Sequence, residues 1–364
     1  MTDRPRSIKT AIIGFGRLAQ IYYAAALRNL PVAEIVAVAD PLAVSRAAAA
    51  KSFPHAHICA DYHDLFEREH IDAILVASSP STHLAIWNEA ARRRVPAFVE
   101  KPFVLVGELE HVDSSPEVRR LLMPNFNRRF WPNYRSLRDL CQSPRLGTIE
   151  RADFTLLTNI RPWNSVTQHR LSPAEGGALF DLASSQLDLI EYVFGEKIVS
   201  LRAQTETIEW PDDHVRLSVQ LERGLRVSCE IGYATRNCEK IAIYGTKANA
   251  RIENPNAIVH VEDREHPKQK LPLADWMSDT LAFGLKALRP ERTMLRYTIA
   301  ASLAAFFEAS SNGKPFSPKF DDAVWNARCL EAAVRSIRER KLIDVSATAS
   351  PGVGTISNAR QQQA

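Results

Sequence analysis

The segment GFGRLA at residues 14–19 limits most strictly what this chain can fold into. It is a G-x-G-x-x-A pattern that follows an apolar run and opens a helical stretch, Leu18–Asn29. At such a strand-to-helix junction the pattern is typical of a Rossmann unit, in which backbone N–H groups bind a pyrophosphate. We expect Gly14 to permit a tight turn, Gly16 to let the backbone approach the pyrophosphate, and Ala19 to allow close helix packing.

Apolar runs alternate with amphipathic stretches over the N-terminal third of the chain. The runs are dense in Val, Ile and Ala, as strands covered on both faces should be. They occupy Lys9–Gly14, Glu34–Ala39, Ala73–Ala77 and Ala97–Val99, and a further helical stretch covers Thr82–Arg94. This alternation predicts a doubly wound parallel sheet, a Rossmann domain that we assign to residues 1–124.

Beyond residue 124 the strand-like segments are longer, and turns typical of β-hairpins separate them. Val215–Glu222 and Leu225–Tyr233 flank the turn Arg223-Gly224. We predict a second α/β domain with an antiparallel sheet over residues 125–346, followed by a disordered tail, 347–364, that is rich in Ser, Gly and Gln. Its other predicted elements are strands at Thr148–Thr158, Ile241–Tyr244 and Ala257–Val261, and helices at Leu179–Phe194 and Ala323–Arg340.

Charge and cysteine content exclude several classes of protein. The net charge is +4, and the basic residues are scattered among 42 acidic ones, which argues against nucleic-acid binding. The chain lacks an apolar stretch of about 20 residues, and Met1–Thr10 lacks the apolar centre of a signal peptide, so we expect a cytoplasmic protein with no membrane partner. Five cysteines without a C-x-x-C pattern predict neither a disulfide framework nor a metal site.

Asp40 ends the second predicted strand, about 20 residues beyond the glycines. A carboxylate at this position would accept hydrogen bonds from both hydroxyls of an adenosine ribose and would repel a 2′-phosphate. Pro41 stands where an arginine could have compensated. The sequence therefore predicts NAD as the cofactor, with NADP as the alternative if Arg17 or Arg46 binds the phosphate.

Several further motifs occur in a specific order along the chain. They are Ser79-Pro80-Ser81-Thr82-His83, Glu100-Lys101-Pro102, the segment 126–132, Gly176-Gly177 with Asp181, and the segment 243–246. Together with the glycine motif they resemble the Gfo/Idh/MocA family of oxidoreductases, over roughly residues 8 to 345. The resemblance implies a second domain built on a large, mainly antiparallel sheet, a homodimer or homotetramer, and NAD(P)-dependent chemistry on a sugar, polyol or cyclitol.

The resemblance also implies the site residues. Lys101 would face the nicotinamide and the reacting hydroxyl, where an ammonium stabilises developing negative charge on oxygen. Pro102 restricts Lys101 to extended backbone geometry. Asp181 would orient Lys101 or hold a substrate hydroxyl. The residues expected at the cofactor are Gly14, Phe15, Gly16, Arg17, Leu18, Asp40, Ser78, Ser79, Pro80, His83, Glu100, Lys101 and Asn127.

A structural reading of Asp181 stays open beside the functional one. Asp181, Ser184, Ser185 and Asp188 follow helical spacing, so they would look the same as a solvent-facing polar stripe. Candidates for substrate contact are Arg129, Trp163 and Arg170, and Arg161 and Tyr233 are further pocket candidates that could equally be packing residues.

The sequence departs from the family at Ser185, where its dehydrogenases commonly carry a histidine one helical turn after the aspartate. A serine hydroxyl titrates far above neutral pH, so another group must handle the proton. Our leading hypothesis is an NAD-dependent sugar or polyol oxidoreductase in which Lys101, Asp181 or His169 does so. The alternatives are a redox-neutral elimination or hydrolysis that uses NAD transiently, and a catalytically silent NAD-binding regulatory protein.

Overall fold

The computed structural model of the chain describes residues 7–161, 172, 176–210, 212–253, 259–263 and 290–346. The chain divides into two compact units. The first comprises Met1–Asn127 together with Met294–Trp325, and the second comprises Arg128–Thr293 together with Asn326–Ala364. The predicted tail, 347–364, lies outside the described residues.

The strands of the described residues form two sheets. In chain order they are β1 (Ile8–Ile13), β2 (Ala33–Ala39), β3 (His57–Cys59), β4 (Ala73–Val76), β5 (Ala97–Val99), β6 (Leu122–Pro124), β7 (Ile149–Thr158), β8 (Ile198–Glu206), β9 (His214–Leu221), β10 (Arg226–Tyr233), β11 (Cys238–Gly245), β12 (Ala248–Glu253), β13 (His260–Asp263) and β14 (Ile343–Asp344).

The α-helices are supplemented by single turns of π-helix, at Ala19–Tyr23 and Leu179–Ala183, and by short 3-10 turns. In chain order the α-helices are α1 (Ala24–Leu27), α2 (Ala43–Ser52), α3 (His63–Arg68), α4 (His83–Arg92), α5 (Pro116–Arg119), α6 (Pro132–Cys141), α7 (Ser184–Phe194), α8 (Pro290–Asn312) and α9 (Phe320–Glu339).

The first sheet has the strand order β3-β2-β1-β4-β5-β6, and all its pairs are parallel. The four residues of β4 are buried, as expected for a strand covered by helices on both faces. This strand order is that of a Rossmann sheet, with its switch in direction between β1 and β4.

The first unit also contains a late segment of the chain, residues 294–325. Its aromatic side chains supply part of the core: Phe306 lies against Phe98 of β5 with ring centroids 5.5 Å apart, and Phe320 lies against Trp87 at 5.9 Å. The sequence predicted a single boundary at residue 124, whereas the chain returns to the first unit. The return is favourable because Phe306 and Phe320 bury apolar side chains of β5 and α4 that would otherwise face solvent.

The second sheet has eight strands in the order β13-β12-β11-β7-β10-β9-β8-β14. All neighbours are antiparallel except β7 and β10. Burial alternates along β7, where Ala152, Phe154 and Leu156 point to the covered face and Phe154 packs on Phe194 of α7. The predicted fold class is therefore confirmed.

The predicted elements occur within a few residues of their expected bounds. The turn between β9 and β10 contains Gly224 at a φ of +90°, and Gly195 ends α7 in the left-handed region. The strand predicted at Ala257–Val261 is found as β13, while residues 257 and 258 lie outside the described ranges. The elements without a sequence prediction are β3, β6, β8, β12, β14, α2, α3, α5, α6 and α8.

Glu191 near the end of α7 is a buried carboxyl in the second unit. Its Oε2 accepts a hydrogen bond from Lys197 Nζ at 2.8 Å, and its Oε1 accepts one from the Ile198 backbone N–H at 3.0 Å. Burial nevertheless outweighs both contacts and raises the pKa of Glu191 from 4.5 to about 7. The folded chain therefore holds this proton more tightly than the unfolded chain does.

We predict that this carboxyl makes the stability of the second unit fall as pH rises. Its contribution is fully present below pH 4.5 and is lost as pH rises through about 7, because only the folded state favours the protonated form. The full shift corresponds to about 3 kcal/mol at most. Urea unfolding from pH 5 to 8 should show a shallower pH slope for Glu191→Gln than for wild type. The exposed control Glu308→Gln should keep the wild-type slope, and equal slopes in all three proteins would contradict the assignment.

Candidate active site

The switch in strand order brings three turns of the first unit to one edge of the sheet. Gly14 follows β1, Asp40 follows β2 and Ser78 lies two residues beyond β4, all at the carboxyl ends of parallel strands. In open α/β sheets ligands bind in the crevice outside these ends. Lys101 follows β5 at the same edge.

Gly14 and Gly16 have different roles in the first of these turns. Gly14 has a φ of +86°, and a Cβ there would lie 2.5 Å from the backbone nitrogen of Ser78. Among the described residues no heavy atom lies within 4 Å of a Cβ built at Gly16. Gly14 is therefore required by the fold, whereas Gly16 faces open space that a ligand could use.

The Asp40 carboxylate holds the glycine turn in place. It is buried, and its Oδ2 accepts a hydrogen bond from the Phe15 N–H at 2.7 Å while its Oδ1 accepts one from the Leu42 N–H at 2.9 Å. Arg46 folds over the same turn and donates to the carbonyl oxygens of Asp40 and Pro41 at 2.9 and 2.7 Å. Asp40 thus links the β1 and β2 turns.

A buried hydrogen-bond network surrounds Glu100, the residue before Lys101. Glu100 Oε1 accepts from the Tyr23 hydroxyl at 2.6 Å and from Asn125 Nδ2 at 2.5 Å, and Asn125 Oδ1 accepts from the Ser302 hydroxyl at 3.0 Å. Burial raises the pKa of Glu100, although Tyr23, Asn125 and the Lys101 charge oppose this rise. Burial also raises the pKa of Tyr23 well above its usual value. The network anchors the start of the Lys101 turn.

His83 connects the turn after β4 to the turn that carries Lys101. Its ring is 1% exposed, Nδ1 faces the Pro102 carbonyl oxygen at 2.8 Å, and Nε2 faces the Ser78 carbonyl oxygen at 3.2 Å. The Lys101-Pro102 peptide bond is cis. His83 is one of the residues predicted at the cofactor, and its buried ring lies between the backbone carbonyls of the Ser78 and Lys101 turns.

The other residues predicted at the cofactor lie around these turns. Leu18 precedes the π turn of Ala19–Tyr23, and Arg17 is half-buried. The Ser78 and Thr82 hydroxyls are 2.6 Å apart, and Ser79 and Pro80 begin the short helical turn before α4. Asn127 Nδ2 donates to the Thr298 hydroxyl at 3.2 Å.

In the second unit, Asp181 lies in the π turn of Leu179–Ala183 that precedes α7. Asp181 is half-buried, and its Oδ2 accepts a hydrogen bond from the Tyr233 hydroxyl at 3.1 Å. π turns inserted in helices occur frequently at functional sites. The structure therefore brings together Asp181 and Tyr233, which the sequence had named separately.

The polar positions that follow Asp181 are not a solvent-facing stripe. Ser184 is fully buried and donates to Asn326 Oδ1 at 2.8 Å, and Asp188 is buried against the guanidinium of Arg129. The half-buried Ser185 hydroxyl donates to the Leu182 carbonyl oxygen at 2.8 Å. The alternative reading of this helix face as a solvated one is wrong. Arg129, predicted to contact substrate, makes a bidentate ion pair with Asp188.

Three predicted site residues, Trp163, His169 and Arg170, lie outside the described residues. Arg161 precedes that segment, donates to the Ala234 carbonyl oxygen at 2.9 Å and pairs with Glu209. The sequence analysis did not predict roles for Tyr23, Asn125 and Ser302. In the sequence each is distinguished only as a polar residue near apolar neighbours.

The described ranges contain neither a metal-binding cluster nor a membrane-spanning helix. No group of three or more His, Cys, Asp or Glu side chains there is arranged to hold a metal ion. Within the same ranges, every helix is too short or too polar to cross a membrane. All five cysteines carry free thiols.

Comparison with known proteins decides the family. Residues 8–121 match the oxidoreductase family with an NAD-binding Rossmann fold, and residues 134–251 match the GFO/IDH/MocA C-terminal domain. The chain belongs to the Gfo/Idh/MocA family. The resemblance carried by the ordered motifs is thereby confirmed, and the chain is placed among oxidoreductases.

Several members of this family align with nearly the whole chain. Inositol 2-dehydrogenase of Rhizobium meliloti (strain 1021) is 25% identical over 357 residues, which are 93% of this chain and 100% of the relative. Levoglucosan dehydrogenase, solved in complex with NADH and L-sorbose, has a TM-score of 0.79 at 19% identity and covers 96% of this chain and 100% of its own. Scyllo-inositol dehydrogenase of Lactobacillus casei, solved with NAD(H) and scyllo-inositol, has a TM-score of 0.75 at 20% identity, covering 94% and 100%.

The first unit of this Gfo/Idh/MocA protein fits a dinucleotide. Gly16 leaves open space at the switch in strand order, where a side chain would obstruct a pyrophosphate, and Asp40 fixes the backbone of the adjoining Phe15. The same carboxylate ends β2, where an adenosine ribose would lie. Residues of the β1, β2 and β4 turns would therefore hold NAD.

We predict that alanine substitutions at the two glycines affect different properties, stability at Gly14 and NAD binding at Gly16. Gly14→Ala should lower the free energy of unfolding by about 2 kcal/mol or more, because the methyl group meets the Ser78 backbone and L side chains disfavour this φ. Gly16→Ala should change stability by less than about 0.5 kcal/mol. It should nevertheless weaken NAD binding at least about tenfold, since its methyl group occupies the space that a pyrophosphate needs.

Thermal unfolding and calorimetric NAD titration of both variants test this pair. Gly224→Ala, in the turn between β9 and β10, is the control for a left-handed glycine remote in sequence from the motif. It should lose stability and keep the NAD affinity of the wild type. Unaltered NAD binding by a folded Gly16→Ala protein would contradict the assignment.

Proposed function

We propose that the chain is an NAD-dependent oxidoreductase that acts on a hydroxyl or carbonyl group of a sugar, a sugar derivative or a cyclitol. The observation that carries the proposal is the open space at Gly16, at the carboxyl edge of the first sheet. Lys101 follows β5 at the same edge. The relatives are named for inositol, scyllo-inositol and levoglucosan, which supports the substrate class. The family resemblance supports a homodimer or homotetramer.

Lys101 acts on the reacting oxygen in this proposal. Bound NAD would supply the acceptor for the hydride that leaves the substrate carbon. An ammonium beside the substrate oxygen lowers the free energy of the negative charge that develops there. The Glu100 network and the contact of His83 with Pro102 hold the Lys101 turn from both sides, so its backbone is placed before any substrate binds.

Asp181 holds the substrate hydroxyl or accepts its proton. It is the half-buried carboxylate at the start of the α7 segment, whereas the Ser185 hydroxyl is already hydrogen-bonded to Leu182. His169 stays the alternative proton acceptor, as the sequence suggested. In this proposal Arg129 supports the site indirectly. It pairs with Asp188 of α7, the helix that directly follows the π turn of Asp181.

We predict that the protein prefers NAD to NADP through Asp40. The 2′-phosphate of NADP would approach a carboxylate, so NADP should bind at least about tenfold more weakly. Calorimetric titration with both cofactors gives the ratio of the two dissociation constants. Asp40→Asn should bring that ratio toward one while also weakening both affinities, because the side chain no longer accepts two backbone hydrogen bonds. The exposed control Asp139→Asn should leave it unchanged, and NADP binding as tightly as NAD would contradict the role of Asp40.

We predict that Lys101→Met lowers kcat by at least about 100-fold and keeps NAD affinity within a few-fold, because it removes charge stabilisation from the transition state alone. Lys51→Met, an exposed lysine of α2, is the matched control. Initial rates of NADH formation on a panel of cyclitols and sugars provide the measurement, and His169→Ala tests the alternative acceptor in the same assay. Unchanged rates in both Lys101→Met and His169→Ala would refute this assignment of the reaction.

The same panel separates the proposed function from its two alternatives. Steady NADH production with a single polyol excludes a redox-neutral elimination or hydrolysis. Tight NAD binding without turnover of any compound, and without elimination or hydrolysis products, would instead indicate a regulatory protein.

A further inference from the structure

The Tyr233 hydroxyl, which the family motifs named above do not include, lies beside Asp181. Tyr233 is the last residue of β10, and its hydroxyl lies 3.1 Å from Asp181 Oδ2 and 3.3 Å from the Gly177 carbonyl oxygen. A phenol has one hydrogen to donate, and the ionised carboxylate is the stronger acceptor and also the nearer one. Tyr233 therefore donates preferentially to Asp181.

The Tyr233 ring is fixed by its surroundings in the second unit. It is 4% exposed and packs edge-on against Trp210, with ring centroids 6.1 Å apart. The Tyr233 backbone N–H donates to the Asp213 carbonyl oxygen at 2.8 Å. Asp213 in turn is buried, and its carboxylate accepts the N–H groups of residues 208, 209 and 210 at 2.7 to 2.8 Å. The position of the Tyr233 ring is thus fixed by β10 and by the hydrogen bonds that join Asp213 to residues 208–210.

Ser185 is arranged differently. Its hydroxyl hydrogen is donated within the helix, to the carbonyl oxygen three residues earlier. Removing that hydrogen would leave an alkoxide facing a carbonyl oxygen, which is unfavourable. The proton of a substrate hydroxyl therefore needs a different acceptor from Ser185, and Asp181 is a carboxylate that already has a fixed donor.

We propose that Tyr233 is a positioning residue that orients the Asp181 carboxylate to accept the proton of the substrate hydroxyl. This inference rests on the proposed function. In this step the substrate O–H bond would break and its proton would pass to the Asp181 carboxylate. Bound NAD, as in the proposed function, would take up the hydride that leaves the substrate carbon. The alcohol would become a carbonyl compound, the carboxylate a carboxylic acid and NAD its reduced form, so atoms and electrons balance.

Tyr233→Phe tests the pair because it keeps the aromatic ring and removes the hydroxyl. Without the donor the Asp181 carboxylate loses a stabilising hydrogen bond, so the acid limb of the pH profile of kcat/KM should move upward by about one pH unit. NAD affinity should stay unchanged. Tyr244→Phe on β11 is the matched control, since its hydroxyl pairs with Arg151, and its acid limb should stay at the wild-type position.

A titration without turnover gives a second readout. Carbon-13 NMR of labelled aspartate carboxyls, with Asp181→Asn to assign the signal, measures the pH midpoint of Asp181 directly. We expect the midpoint to rise by about one unit in Tyr233→Phe. If that variant fails to fold, 3-fluorotyrosine incorporated at position 233 keeps the shape, donates more strongly and should lower the midpoint instead.

The outcomes separate the two proposals. A midpoint that moves as expected, in a protein that oxidises no cyclitol or sugar, would refute the proposed function and leave the Tyr233–Asp181 pair standing. Turnover in the wild type, with neither the acid limb nor the midpoint changed by the substitutions at Tyr233, would overturn the inference alone.

Discussion

The close passage of the Gly14 backbone against Ser78 determines how the candidate cofactor edge is built. Because no side chain fits between them, the turns after β1 and β4 lie in backbone contact. Asp40 then joins the β2 turn to Phe15, and His83 joins Ser78 to the turn of Lys101. The turns after β1, β2, β4 and β5 are therefore linked by one backbone contact and by hydrogen bonds from two buried side chains, Asp40 and His83. Such an edge needs little reorganisation when a ligand binds, which is what preorganised sites require.

The buried acid before Lys101 illustrates how polar groups are accommodated in this core. An unpaired carboxyl in such surroundings would be strongly destabilising, and its pKa would rise further. Tyr23 and Asn125 compensate by donating to one of its oxygens, and Ser302 fixes the orientation of the Asn125 amide. The three donors of this network come from the π turn after the glycine turn, from the residue that follows β6 and from α8. A single carboxyl thus joins three distant parts of the sequence.

The sequence predicted the features that depend on local pattern. Dense apolar runs located the central strands of the first sheet, and the glycines and the Glu100-Lys101-Pro102 motif located two of the turns at its carboxyl edge. It did not predict α8, because small and apolar residues are spread around that helix without one clear face. Nor did it predict the partners Tyr23, Asn125 and Ser302, or the pairing of Tyr233 with Asp181. These contacts join residues between 25 and 177 positions apart, and local periodicity carries no information about such distances.

The return of residues 294–325 to the first unit has a consequence for how the protein is made. During synthesis the Rossmann sheet emerges early, yet Phe98 and Trp87 gain Phe306 and Phe320 only when the last part of the chain has left the ribosome. Each such aromatic ring buries enough apolar surface to contribute about 2 kcal/mol. The nascent Rossmann sheet must therefore remain partly uncovered while strands β7 to β13 of the second sheet are translated. Transiently exposed apolar surface of this kind favours aggregation, and the path of this chain prolongs that exposure.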